Sequence, residues 1–150
     1  MTRTFTSIDE VKAAVGEELG PSEPLVVDQA RIDAFADATG DHQWIHVDPE
    51  RAAAGPYGAT IAHGYLTLSL IPQFAQQLFA LDFGVARINY GANKIRFPAP
   101  VPVGSALRAT ATVTDVADGA ASCTVTVRYV VAVDGAAKPA CVAETLVVVA

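Results

Sequence analysis

The sequence is poor in cysteine, in basic residues and in long apolar runs, and each shortage removes a class of protein. Two cysteines in 150 residues cannot build a disulfide framework or a cysteine-rich zinc module. Cys123 and Cys141 lie in stretches that read as strands of one hairpin turning near Gly135. Their offset is about seven residues, or ~23 Å at the strand rise, far outside disulfide reach. Free, buried thiols and a reducing compartment are expected. Lys and Arg total 10 against 16 Asp and Glu, a net charge of −6, so the phosphate-neutralising charge behind most nucleic-acid binding is missing. No stretch of ~20 residues runs without polar breaks, and the opening MTRTFTSIDEVKAAVGEELG lacks the basic start and apolar run of a signal peptide. A soluble, cytoplasmic protein without nucleic-acid or membrane partners is expected.

What the chain does have is apolar residues, 51% of the total, enough for one domain spanning 1–150 with its own core. Its few cations are uneven: residues 1–75 hold 4 basic and 11 acidic groups, residues 76–150 hold 6 and 5. A polyanionic ligand is therefore expected on the second half.

Ser7-Ile8-Asp9-Glu10 has the form of a capping box, predicting a helix with Ile8, Val11, Val15 and Leu19 on one stripe, stopped by Gly20-Pro21. Leu25 to Val27 is a brief strand candidate. Asp28 then caps a helix carrying Ile32, Phe35 and Ala36, which Gly40 ends, and Asp48-Pro49 opens another short helix. The segment 41–47 is thus pinned between two helices. Residues 65–81 are apolar nearly all round, as a helix wrapped by a sheet would be, with Pro72 either kinking it or marking a handover between two pieces. The period then changes to two: Leu107, Ala109, Ala111 and Val113 alternate with polar residues, as do Cys123, Val125, Val127 and Tyr129. Asp118-Gly119 and Asp134-Gly135 supply hairpin turns. Five strands are expected, near 85–91, 93–97, 105–117, 121–133 and 139–149. The class is α+β, a long antiparallel sheet curled around an apolar helix.

Polar chemistry concentrates in Gly40-Asp41-His42-Gln43-Trp44-Ile45-His46 and in Ala62-His63-Gly64. A turn between the helices could converge Asp41 and His46 on one water molecule, as an acid/base pair requires. Taken alone, Asp41 could equally cap a helix and His46 sit as a satisfied half-buried histidine. A metal reading also stands, with His42 and His46 at i, i+4, Asp41 adjacent and His63 as third ligand. Gly64 opens the apolar helix, so its N–H is an unpaired donor that a substrate oxygen could approach closely, or the glycine simply permits a turn. Lys94 and Arg96 are two apart on a strand and share a face. With Arg87 and Arg108 they suit phosphate groups, although edge strands carry charge for other reasons too. Tyr57 and Ser69 are candidate pocket residues.

Together these segments resemble the MaoC-like hydratase family. Gly40, Asp41, Gln43, Trp44, Ile45, His46 and Ala52 correspond to its G-D-x-N-P-[LIV]-H-x5-[AS] block, with Gln43 in place of Asn and Trp44 in place of Pro. Ala62-His63-Gly64 matches the A-H-G before its apolar helix, and Arg96-Phe97, Pro100-Val101 and Gly104 match its [KR]-F-x-x-P-V-x-x-G element. The resemblance implies a hotdog fold in a homodimer with its site at the subunit interface. It also implies (R)-specific hydration of trans-2-enoyl-CoA to (R)-3-hydroxyacyl-CoA. Asp41 and His46 would be catalytic, the Gly64 amide would form the oxyanion hole, and Gln43, His63, Tyr57, Lys94 and Arg96 would contact substrate. No metal or redox cofactor is implied, coenzyme A entering as part of the substrate. The acyl chain is expected along Leu66, Leu70 and Phe74. The alternatives are an acyl-CoA thioesterase, for which 65–81 offers no acidic residue, a 3-hydroxyacyl-thioester dehydratase, and a non-catalytic acyl-CoA-binding partner subunit.

Overall fold

The computed structural model describes residues 2–150. Its organising feature is a six-stranded sheet of four long antiparallel strands, β5 (Arg87–Arg96), β6 (Ser105–Asp118), β7 (Cys123–Val133) and β8 (Cys141–Val149). They lie in the order β6-β7-β8-β5, and two short strands, β2 (Glu18–Leu19) and β3 (Leu25–Val27), share the outer edge of β6. Period-two patterning becomes burial here: Leu107, Ala109, Ala111 and Val113 of β6, with Val125, Val127 and Tyr129 of β7, all face the core. The expected strands 85–91 and 93–97 are instead one strand, β5, with irregularities that leave Tyr90 and Asn93 unmatched against β8. Each extra residue resets the alternation, so the pattern reads as two strands around a turn. The two cysteines are free and lie at opposite ends of the β7–β8 ladder. Burial pushes the Cys141 thiol up to about 11, which keeps it unreactive.

The sheet curls around α5 (Gly64–Ser69) and α6 (Ile71–Leu78), the hotdog arrangement. Of the two readings of Pro72, the handover holds. Leu70 joins the two helices in right-handed helical conformation and Pro72 sits in the first turn of α6, where its missing N–H costs nothing. The helical run ends earlier than expected, because Phe79 turns extended and Phe79–Leu81 forms β4, paired in parallel with β1 (Arg3–Phe5). Nor is the helix sheathed all round. Leu66, Leu70 and Phe74 are buried at 4%, 6% and 0% exposure, whereas Tyr65 is 69% exposed.

Elsewhere local signals hold with one exception. The Ser7 hydroxyl accepts from the Glu10 N–H, but the Glu10 carboxylate reaches past it to the Thr6 N–H (2.6 Å). The helix α1 (Ile8–Ala13) is a turn and a half, so the expected stripe breaks: Val15 is exposed and Leu19 joins β2. The chain leaves α1 through Gly16 at φ +90°, whose N–H donates to Val113 O (2.9 Å), a sheet contact that outcompetes another helical turn. Asp28 caps α2 (Gln29–Thr39) through the Arg31 N–H, and Gly40 ends it in the left-handed region at φ +82°. The helices α3 (Trp44–Val47) and α4 (Pro49–Ala53) follow, α4 capped by Asp48.

Candidate active site

Gly40 releases the chain from α2 directly into Asp41, and α3 carries His46 back under it. Main-chain bonds tie the segment that leads into α5 to this loop on one side and to Val101 on the other. Ile61 N–H donates to Ile45 O (3.0 Å) and Ala62 N–H to Val101 O (2.8 Å). Behind the loop, the Gln29 amide donates to His46 O (2.8 Å) while its oxygen accepts the buried Thr60 hydroxyl (2.6 Å). Gln29 and Thr60 thus hold His46 in place, and nothing in their sequence context marks them.

Two imidazoles lie at the centre. His46 and His63 are 6% and 2% exposed, and their rings stack with centroids 3.8 Å apart at 23°. Phe35 packs on His63 as well, at 4.9 Å. A main-chain carbonyl can only accept, which fixes the ring nitrogen that donates in each. His46 Nδ1–H donates to Ile61 O (2.7 Å), and His63 Nε2–H donates to Asp41 O (2.9 Å). That leaves His46 Nε2 free to act, while His63 Nδ1 is buried and without a partner among the described residues. Burial holds the His46 pKa below the ordinary imidazole value; the Ile61 carbonyl and Asp41 oppose this, while His63 reinforces it. His46 is therefore a neutral base near pH 7. The Asp41 carboxylate accepts from the Gln43 N–H (3.3 Å) and is otherwise exposed. One polar atom each of Asp41, His46 and His63 lies within 4.8 Å of the others.

These three residues could hold an ion by composition, but nearly parallel rings send their in-plane lone pairs side by side rather than to one point. A shared metal would require the rings to splay apart. A water molecule accepts looser geometry. His42 is no part of the cluster: it precedes α3, lies on the surface, and bonds Asp37 (2.9 Å), which raises its pKa.

A cavity of about 360 Å³ opens beside the pair, lined by His46, Tyr57, Gly64, Thr67, Phe97 and Pro100 among others. Gly64 is the first residue of α5, and its N–H has no main-chain acceptor among the described residues. A Cβ at Gly64 would lie 3.0 Å from the Phe97 ring. The structure thus brings His46, Gly64 and Tyr57 together on the cavity wall and sets Asp41 beside His46. It does not bring the other expected contacts to the cavity. Gln43 offers a main-chain N–H while its side chain is exposed, and His63 lies behind His46. Lys94 and Arg96 flank Ile95, which faces inward, so both project from the outer face of the sheet. Nor do the four cations form one patch, because Arg108 pairs with Asp134 (3.1 Å) and Arg87 points inward, bonding Leu81 O and Phe83 O.

A second cavity, about 560 Å³, lies between the helices and β5, lined by Leu68, Pro72, Ala75, Ala92, Ile95 and Val147, with Ser69 at its wall. The expected acyl contacts Leu66, Leu70 and Phe74 are not in it, because they face the opposite side of the helix, into the core. Both cavities follow α5 and the end of β5: Gly64, Thr67 and Phe97 line the small one, Leu68 and Ile95 the large one.

Known proteins share this fold. The chain is 55% identical over 146 residues to a 3-hydroxyacyl-thioester dehydratase Z of Mycobacterium tuberculosis, covering 97% of each. Its fold superposes on an (R)-hydratase of A. caviae involved in PHA biosynthesis with a TM-score of 0.70 at 28% identity, covering 89% of this chain and 94% of the other. The monoamine oxidase regulatory protein of Archaeoglobus fulgius gives a TM-score of 0.80 at 25% identity, covering 99% and 97%. The MaoC like domain matches residues 10–134, and the chain belongs to that family of dehydratases and hydratases.

Proposed function

We propose that the protein hydrates trans-2-enoyl-CoA to (R)-3-hydroxyacyl-CoA, and catalyses the reverse dehydration, with Asp41 and His46 as the acid/base pair. The observation that carries this is the convergence of an exposed carboxylate and a buried, neutral imidazole beside a cavity holding a free helix-terminal N–H. Water accepted between Asp41 and His46 Nε2 attacks Cβ of the enoyl thioester. As the O–C bond forms, its proton passes to His46 Nε2 and the C=C electrons move onto the thioester oxygen. The Gly64 N–H holds that oxygen, an interaction that strengthens as charge accumulates. The enolate then takes the proton from His46 at Cα on the same face, giving net syn addition. Water adds without any change in overall oxidation level, so the chemistry asks for no redox partner. The (R) outcome is supported by the likeness to the A. caviae (R)-hydratase, and the dehydration direction by the name of the M. tuberculosis relative.

In this reading the acyl chain leaves the small cavity along α5 and enters the larger one. The coenzyme A phosphates lie towards Lys94 and Arg96, the latter adjoining Phe97 in sequence. A second copy pairs along β5, which ends the sheet and exposes Ile88 (52%) and Tyr90 (72%) on an open edge. Sedimentation should then give twice the chain mass.

Crotonyl-CoA incubated with the purified protein should lose its conjugated absorbance near neutral pH and yield the (R)-alcohol on chiral analysis. Release of free coenzyme A without hydration would replace the proposal with a thioesterase. No Asp or Glu stands in α5 or α6 to serve that reaction.

A further inference from the structure

Thr67 lies in α5 at 1% exposure and lines the small cavity with His46 and Gly64. A helical threonine commonly turns its hydroxyl to the carbonyl four residues back. Here that carbonyl, His63 O, takes the N–H of Leu66 (3.0 Å) and of Thr67 itself (3.3 Å), and no bond reaches it from the Thr67 hydroxyl. Among the described residues the hydroxyl bonds no protein partner, and Thr67 is part of the cavity wall. Buried hydroxyls are ordinarily paired. One left open towards a cavity is satisfied by what the cavity binds.

Its position names the ligand atom. Gly64 and Thr67 are three residues apart and share a face of α5. Helical side chains lean towards the N-terminus, over the preceding turn, so Thr67 leans towards a Gly64 that has no side chain to meet it. We propose that the Thr67 hydroxyl is a second donor to the thioester oxygen, acting beside the Gly64 N–H; this rests on the hydratase reading above. The enolate oxygen that forms when water adds to Cβ then receives two hydrogen bonds, one from the main chain and one from Thr67. Thr67 does not exchange the proton, which remains with the Asp41 and His46 pair.

The test compares Thr67→Val, which keeps the shape and removes the hydroxyl, with Thr67→Ser, which keeps the hydroxyl and removes the methyl. On crotonyl-CoA, Thr67→Val should lose about 10²-fold in kcat, the usual loss for one oxyanion donor, with KM within about threefold, and Thr67→Ser should stay within about threefold of wild type. The infrared carbonyl stretch of bound butyryl-CoA, which is saturated and does not react, should shift to lower frequency in wild type and Thr67→Ser and less so in Thr67→Val. Should Thr67→Val not fold, Thr67→Ala carries the same comparison. A kcat for Thr67→Val within twofold of wild type overturns the proposal. So does an equal loss in Thr67→Ser with an unchanged carbonyl shift, which would make the residue a packing element. A wild-type protein that binds butyryl-CoA with a Thr67-dependent carbonyl shift yet hydrates nothing refutes the hydratase reading and leaves the Thr67 contact standing.

Discussion

Gly64→Ala isolates the step in which the acyl oxygen meets the backbone. The new methyl would sit 3.0 Å from two carbons of the Phe97 ring and 3.1 Å from a third, closer than carbon atoms normally pack. Phe97 is 42% exposed, so the ring has room to swing outward by a few tenths of an ångström. Two opposing effects on stability follow. Alanine in place of glycine restricts the unfolded chain and favours the helix by ~0.4–1 kcal/mol, while the overlap with Phe97 costs ~1 kcal/mol, the low end for overpacking at a site that yields. They nearly cancel, and the midpoint of thermal unfolding should move by no more than ~4 °C. Catalysis has no such compensation. The methyl and the displaced ring both intrude on the cavity where the thioester oxygen must reach the amide, and loss of one such donor costs ~10²–10³-fold in rate. Steady-state kinetics on crotonyl-CoA alongside calorimetry should therefore show a folded protein with kcat/KM down at least ~10²-fold. Adding Phe97→Leu should recover part of the loss, because the two sites touch and are coupled. Activity within fivefold of wild type in the single variant would sink the assignment of Gly64.

Asp41→Asn and His46→Gln should each reduce turnover by at least ~10²-fold while far-ultraviolet circular dichroism stays unchanged, as acid/base catalysis implies; near-normal rates for either would exclude it from the pair. Because burial lowers the His46 pKa, the acid limb of kcat/KM should fall below the ordinary imidazole value of 6.5. The unfolded chain takes up this proton more readily than the folded one, so His46 also makes the fold lose stability as pH drops below 6.5. Urea titrations of wild type and His46→Gln at stepped pH should show a steeper loss of stability below 6.5 in wild type than in the variant. Filling the larger cavity with Ala75→Phe should shorten the longest enoyl chain accepted while crotonyl turnover stays within about threefold, since a four-carbon group ends before reaching it.

The parts of the fold set by local chemistry were readable in the chain: the Asp28 and Asp48 caps, the Gly40 terminus and the alternation of β6 and β7 each follow from residues close in sequence. What escaped was decided across distance. The sheet contact of Gly16 with Val113 shortens α1, and pairing with Arg3–Phe5 draws Phe79–Leu81 out of the helix. Two unmatched residues in β5 make one strand look like two. In the site, motif spacing led to Asp41 and His46, which lie side by side, and to Gly64, which shares the small cavity with His46. Residue type alone could not tell which side of a strand or helix faces the ligand. Leu66, Leu70 and Phe74 turn to the core, His63 stands behind its neighbour, and Lys94 and Arg96 lie on the outer face of the sheet, lining neither cavity. Thr67 and Gln29 carried no signal at all, since a threonine or glutamine in a helix is ordinary until its surroundings are known.

The acceptors that orient both imidazoles are peptide oxygens, of Ile61 and of Asp41, and this bears on how the site tolerates inherited change. Every amino acid carries that oxygen, proline included, so no single codon change at either position deletes it. The orientation of the two rings is written into the chain's trace rather than into any side chain's identity, so at position 61 drift is limited by the burial of Ile61 and by the N–H it donates to Ile45 O, not by the tether to His46. The same circumstance makes Asp41→Asn a clean chemical substitution, since it alters the carboxylate and leaves the tether to His63 in place.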